Sequence, residues 1–348
     1  MGPRMKSGIV GYGYAGKTFH APLISMVADL ELTAVATRNA AAVTQDWPGV
    51  ATEPTPQGLF ARDDIELVVI ATPNDTHFSL AAQALEAGKH VVVDKPFTVT
   101  VAEGQELIEL ADRNKRLLSV FHNRRWDADF LTLKARLNSG ELGRVVHFES
   151  HFDRYRPVVR QRWRESSAAG AGLWYDLGPH LLDQAVQLFG RPHTIWLDQA
   201  RQRDAALADD WFHAVLSYDE VRVILHASGL VAGPTPRFAV HGTTGSFIKY
   251  GLDTQEDALK AGLRPTDIAW GHDPEQGRLY LGQGDSVQER SVPSNAGDYR
   301  LYYSAIADAI RNGAANPVPA EEALVVMQLI EAGITSYQQG RIIKLAHT

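Results

Sequence analysis

The sequence predicts an α/β protein: an amino-terminal Rossmann domain over residues 1–121, then a second α/β domain over 122–348 built on an open, mainly antiparallel sheet. Three observations carry this. As far as residue 122, short apolar runs alternate with helical patterns, the order expected of parallel βαβ units. The first run ends in a glycine-rich loop, GYGYAG. Beyond it, apolar and polar residues alternate, as they do in a sheet with one wetter face.

The first strands are read at SGIV, LTAVAT, ELVVIAT, HVVVD and LLSVF. Between them Gly88 stops the helix containing SLAAQALEA, and Thr100 with Glu103 forms a capping box ahead of VAEGQELIELADRNKR. After residue 122 a helix of the type FLTLKARLNSG leads into RVVHFESHF, with Val146, Phe148, Ser150 and Phe152 on one face. Val145, His147, Glu149 and His151 lie on the other. WFHAVLSYDEVRVILHASG reads as two strands turning at Tyr218–Glu220, and RFAVHGTTGSFIKYG as a pair turning at Thr243–Gly245. Two helices close the chain. Residues 264–298, rich in Gly, Pro and Asp and without a period, read as a long connection or a lid.

At 348 residues the chain exceeds one ordinary core, which fits two domains. A net charge of −7 argues against nucleic-acid or anionic-membrane partners. The absence of cysteine removes disulfides, thiol catalysis and thiolate metal sites. The start, MGPRMKSGIVGYGY, has no apolar leader pattern. No apolar run approaches the length of about 18 residues that a membrane span needs, so a cytoplasmic protein is expected.

Gly11, Gly13 and Gly16 have G-x-G-x-x-G spacing, with Tyr12, Tyr14 and Ala15 between them. Following a strand and opening a helix, such a loop supplies a tight turn, close backbone approach to a pyrophosphate and close helix–strand packing. An NAD-binding chain would show an acid about 20 residues on, for the ribose hydroxyls. Here stand Ala36, Thr37, Arg38 and Asn39. A guanidinium fork with a hydroxyl beside it suits a ribose phosphate, which points to NADP. The plainer reading of Arg38 is a solvated strand-end residue. Thr72, Pro73 and Asn74 would flank the dinucleotide at the next strand end. His77 is grouped with them, although it resembles a helix-start residue more than a catalyst.

VVVDKPFTVT poses a sharper choice. Asp94-Lys95-Pro96 is ordinary turn chemistry, yet strand ends of open parallel sheets are where ligands bind. Further on, LWYDLGPHLLDQAVQLFG carries a helical apolar stripe ended by Gly190, with Asp176 and His180 four residues apart on one face. A carboxylate one turn from an imidazole can orient it for proton transfer. Equally, the two can be a capping acid and a surface histidine. Pro179 is tolerable if it lies in the first turn. Asn123 follows the last Rossmann strand, within reach of nicotinamide or substrate. Tyr155 with Arg156, and Trp163 with Arg164, stand in loops where the arginines could equally be solvated.

GYGYAGKTFHAPL, ATPNDTH and DKP together resemble the glucose–fructose oxidoreductase/inositol dehydrogenase/rhizopine catabolism (Gfo/Idh/MocA) family, and the resemblance runs through HNRRWDADF, RYRP, RWRE, LWYDLGPHLLDQ and SFIKYGLDTQEDALKAG. Within it the chain looks closest to bacterial NADP-dependent scyllo-inositol dehydrogenases. The family's usual Glu-Lys-Pro is Asp94-Lys95-Pro96 here, which shortens the carboxylate's reach. The resemblance implies that Lys95 stands between cofactor and substrate and that Asp176 and His180 are active-site residues, with Asp183 structural. It also implies Asn123, Trp163 and Arg164 near the cofactor, and Asn123 and Tyr155 near the substrate.

The expected activity is NADP-dependent hydride transfer with a polyol or sugar hydroxyl, best guess scyllo-inositol. His180 would take the hydroxyl proton, Asp176 would orient it, Lys95 would stabilise the developing alkoxide and Asp94 would help hold Lys95. Substrate is expected between the domains and no metal is expected. A homodimer or larger homo-oligomer is expected through the second domain's sheet, whose bare face would otherwise be a large apolar patch. The alternatives are another polyol, ketose or anhydrosugar, or a non-catalytic NADP-sensing regulator.

Overall fold

The computed structural model describes residues 3–266, 270–284 and 286–346. Six strands, β1 (Met5–Val10), β2 (Leu30–Ala36), β3 (Ala51–Glu53), β4 (Leu67–Ile70), β5 (His90–Asp94) and β6 (Leu118–Phe121), form one sheet in the order β3-β2-β1-β4-β5-β6. Every pairing in it is parallel. This is the Rossmann order, in which the crossovers reverse between β1 and β4 and open a crevice there. Continuous apolar strands are what a sheet covered on both faces requires. Val91, Val92 and Val93 accordingly have no exposed surface. Thr100 and Glu103 form the capping box of the helix Val101–Asn114, and Gly88 takes φ +75° just past the helix His77–Glu86.

The second sheet has nine strands: β7 (Val145–His151), β8 (Thr194–Ala200), β9 (Trp211–Ser217), β10 (Arg222–Ser228), β11 (Phe238–Gly242), β12 (Gly245–Lys249), β13 (Gly277–Gln283), β14 (Ser286–Val292) and β15 (Ile343–Lys344). Their order is β14-β13-β12-β11-β7-β10-β9-β8-β15. Only β7 and β10 pair in parallel; the other pairs are antiparallel. Phe148, Ser150, Phe212, Ala214, Leu216, Val223 and Leu225 form its buried face. The helix Leu173–Phe189 packs there, with Trp174 and Phe212 rings 4.9 Å apart.

Four expectations need correction. Val146 is exposed at the end of β7 instead of joining Phe148 in the core. Residues 277–292 are the hairpin β13–β14 and not a lid. Their pattern was hidden because β14 is an edge strand exposed on both sides until Val292, although residues 267–269 and 285 lie outside the described ones. Pro179 sits well inside its helix, which begins at Leu173, so it removes an interior helical hydrogen bond. The outer face of the second sheet is not a bare apolar patch: His147, Glu149, His151, Trp211, His213 and His226 stand on it, half-buried. The compact packing units are assembled from several stretches of the chain. One compact unit comprises residues 1–126, 255–270 and 298–327, and the other comprises 127–254, 271–297 and 328–348. The chain returns to the first unit because Tyr302 and Tyr303 pack on Phe121, with ring centroids 5.0 and 5.7 Å away.

Candidate active site

In the first unit the candidate residues gather at the carboxyl ends of β1, β4 and β5. Gly11 has φ +95°, and a β-carbon there would lie 2.7 Å from the Ala71 carbonyl oxygen. At Gly16 it would strike the carbonyl of Gly11, whereas at Gly13 it would meet nothing within 4 Å. Two glycines are thus demanded by the turn itself, and the third faces open space. Ala15 leads into a helical stretch that starts as a π turn, Gly16–His20, and continues as Ala21–Ser25.

The two tyrosines brace this loop. Tyr12 donates its phenolic hydrogen to Asp46 (2.9 Å), which also pairs with Lys17 at 2.7 Å. Tyr14 donates to Glu256 (2.6 Å), and burial together with that carboxylate pushes its pKa up to about 12. Glu256 is held from the other side by Arg124 at 2.7 Å. No local signal could have shown that a carboxylate 242 residues away braces the loop.

Thr37 and the exposed Arg38 follow β2. Arg38 makes no hydrogen bond or ion pair among the described residues. The sequence reading missed a nearby acid: Glu53, opposite Ala36 on β3, which pairs with Arg62 at 3.4 Å. Thr72 accepts a hydrogen bond from Thr76 (2.6 Å), Asn74 is buried and Pro73 is exposed. His77 belongs elsewhere than with the cofactor residues. It has no exposed surface, and its ring nitrogens lie 2.9 and 3.0 Å from the Pro96 and Thr72 carbonyl oxygens, so it ties the ends of β4 and β5 together. Burial pushes its pKa down.

The Asp94-Lys95-Pro96 segment is no surface turn. Asp94, Pro96, Phe97 and Thr98 are buried and only Lys95 is half-exposed. Burial alone would raise the Asp94 pKa, but His20, Lys95 and His77 outweigh it and hold the carboxyl below its ordinary value. His20 places Nε2 3.7 Å from Asp94 and Nδ1 against the Tyr303 hydroxyl. This histidine was missed; its only local signal was a polar residue in the apolar stretch after the glycine loop. Asn123 is buried in the turn Asn123–Trp126 that follows β6.

In the second unit, Asp176 and His180 stand one turn apart on the helix Leu173–Phe189, His180 buried at 5% exposure. Asp209 caps that helix: its backbone carbonyl accepts from the Leu173 N–H and its carboxylate from the Trp174 N–H (2.9 and 2.7 Å). Burial raises the Asp209 pKa to about 6. Gly172 is required beside it, with φ +96° and no room for a β-carbon against the Asp209 carboxylate. Arg164, stacked on Trp163, reaches Asp176 at 3.4 Å. A pocket beside Asp176 is lined by Arg154, Arg156, Arg164, Arg203, Asp209 and Ser228 among others. Tyr155 is 61% exposed, its backbone paired with Leu230. Arg203 and Asp209, in a stretch without periodicity, were also missed. Asp183 is buried in the same helix.

Two family models match this chain. Residues 5–122 match "Oxidoreductase family, NAD-binding Rossmann fold", and residues 134–345 match "Oxidoreductase family, C-terminal alpha/beta domain". The chain belongs to the Gfo/Idh/MocA oxidoreductase family. Among relatives in this family, it is 52% identical to the uncharacterised oxidoreductase YdgJ of Escherichia coli, over 99% of this chain and all of that one. It is 41% identical to the scyllo-inositol 2-dehydrogenase (NADP(+)) IolW of Bacillus subtilis, over 99% of this chain and 96% of the relative. A solved structure of the YPO2259 oxidoreductase from Yersinia pestis superposes with a TM-score of 0.97 at 54% identity, over 100% of this chain and 99% of that one. Among the described residues no helix is long and apolar enough to cross a membrane.

Proposed function

We propose that this Gfo/Idh/MocA oxidoreductase is an NADP-dependent dehydrogenase of a polyol or sugar, with scyllo-inositol as the first substrate to test. The full-length likeness to IolW carries this reading. The polar lining beside Asp176 suits a molecule covered in hydroxyls. When bound, NADP supplies the hydride acceptor. The glycine loop, Thr72, Pro73 and Asn74 hold the dinucleotide, with Asn123, Trp163 and Arg164 toward its nicotinamide half. His180 accepts the hydroxyl proton, Asp176 orients the imidazole and the substrate, and Asn123 and Tyr155 bind other hydroxyls. Lys95 places its positive charge where the oxygen becomes negative, and Asp94 holds Lys95. Turnover across a panel of polyols and sugars tests the proposal, and reduction of NADP by none of them would overturn it in favour of a sensing role.

The cofactor preference rests on Arg38, which is exposed and has no other partner among the described residues. Arg38→Ala should weaken NADP binding by about 1.5–3 kcal/mol, the worth of a charged hydrogen bond, and barely change NAD binding. Fluorescence titration reads both, and equal wild-type affinity for the two cofactors would contradict the assignment.

A homodimer or larger assembly through the outer face of the second sheet belongs to the same reading. Trp196, Trp211 and the neighbouring histidines there are only half-buried in the single chain, and aromatic residues are enriched at interfaces. Light scattering should report at least twice 38.2 kDa at micromolar concentration; a monomer mass would exclude it.

A further inference from the structure

On the outer face of the second sheet three side chains converge that the proposed reaction leaves unused: His151 at the end of β7, Asp153 two residues on, and His226 on β10. The parallel register of β7 and β10 sets His226 directly beside His151, with ring centroids 5.4 Å apart. His151 Nδ1 lies 3.4 Å from Asp153 Oδ2, and His226 Nε2 lies 3.5 Å from Asp153 Oδ1. One ligand atom from each residue falls within 4.8 Å of the other two. Nitrogen and oxygen ligands about 2.0–2.1 Å from a tetrahedral zinc stand roughly 3.4 Å from each other, so the edge from His151 Nδ1 to Asp153 Oδ2 already has the required length, while His226 approaches the other oxygen of the same carboxylate.

The surroundings prepare those atoms as ligands. His151 Nε2 is 3.0 Å from Glu149 Oε2, and a carboxylate only accepts, so Nε2 carries the proton. Nδ1 faces the Asp153 carboxylate, which either a second proton on the ring or a bound cation would satisfy. The Asp153 side chain is only 4% exposed, and Thr235 donates to its Oδ2 at 2.9 Å. His151 Nδ1 and Asp153 Oδ1 are buried and make no hydrogen bond. A lone pair and a carboxylate at this separation repel, so a proton or a metal ion lies between them. Outer partners of this kind, a carboxylate on the far imidazole nitrogen and a donor on the carboxylate, are those that metal-ligating residues keep.

We propose that His151, Asp153 and His226 bind one divalent transition metal, zinc by preference, with a further position left to water. Two imidazoles and one carboxylate select such an ion over magnesium or calcium, which favour oxygen ligands. All three ligands come from one chain, so the site does not depend on assembly. It departs from the expectation of no metal because the ligands lie on different strands, 73 residues apart between Asp153 and His226 (226 − 153 = 73), and only sheet register unites them.

The test titrates chelator-stripped, full-length protein with zinc by calorimetry. One zinc per chain is expected, with no comparable magnesium binding. Asp153→Asn and His226→Gln should each weaken zinc binding at least about tenfold, since even outer-partner changes cost that much. His193→Gln, on a ring that pairs with exposed Asp219, should leave it unchanged. Cobalt provides a readout from the wild type alone, whatever the stability of the variants: the intense visible absorption of a four-coordinate ion is expected. No zinc uptake, equal uptake in Asp153→Asn and His226→Gln, or a weak octahedral cobalt spectrum would overturn the assignment. In those cases a proton shared by His151 and Asp153 would account for the cluster.

Discussion

Lys95→Met should lower polyol turnover on the order of 100- to 1,000-fold, the usual cost of losing one preorganised group that stabilises negative charge in the transition state. The physical reason is differential: a positive charge beside a neutral hydroxyl gains little, but beside an alkoxide it gains much. NADP affinity should survive, because the glycine loop and Arg38 make the phosphate contacts in the proposed complex. Folding should survive too, since methionine keeps most of the side chain's length and Lys95 is only half-buried. Steady-state turnover with scyllo-inositol or another accepted polyol, checked against cofactor titration, provides the measurement. Near wild-type turnover would return Asp94-Lys95-Pro96 to a purely structural role, one already suggested for its neighbours by the His77 tie to Pro96. His180→Asn should also reduce turnover, because the proton acceptor is lost.

Arg237→Met should produce the largest loss of stability. Arg237 and Asp129 are a fully buried ion pair, 2% and 0% exposed, with Nε to Oδ2 at 3.2 Å. The same guanidinium donates to Gln184 (2.6 Å) on the helix Leu173–Phe189 and to Ser150 on β7. Methionine would leave the Asp129 charge without this cation and would remove one donor each from Gln184 and Ser150. Breaking a buried pair from one side typically costs about 3–5 kcal/mol. The double variant Asp129→Asn/Arg237→Met should recover part of that, because no charge then remains stranded. Arg144→Met, which breaks an exposed 3.7 Å pair with Glu220, should change stability by less than about 1 kcal/mol. Urea denaturation followed by tryptophan fluorescence distinguishes these, and equal midpoints for Arg237→Met and wild type would refute the argument. Because the helix tethered by Gln184 carries Asp176 and His180, turnover of Arg237→Met should fall as well.

The sequence by itself determined whatever depends on neighbours a few residues away. Period and apolar run length placed β1, β2 and β4 through β6, because a strand covered on both faces needs side chains such as Val91–Val93 throughout. Caps and stops were equally local: Thr100 with Glu103, Gly88, and Gly190 with its φ of +74°. The glycine loop was legible because Gly11 and Gly16 answer to backbone atoms close in the chain or on the adjacent strand.

Only the tertiary structure decided what distant segments bring. Glu256 braces Tyr14, Asp209 caps the helix of Asp176 and His180, and Arg237 ties that helix to β7. His77 was near the right turn but had another task, because burial between two carbonyls depends on packing and not on spacing. β13 and β14 escaped detection since the edge strand β14 buries no regular face and therefore imposes no alternation. The row of His151 beside His226 depends on strand register, a property of two segments at once. Local chemistry writes a pattern into consecutive residues. A contact between distant ones leaves none, because either partner taken alone is simply a polar side chain.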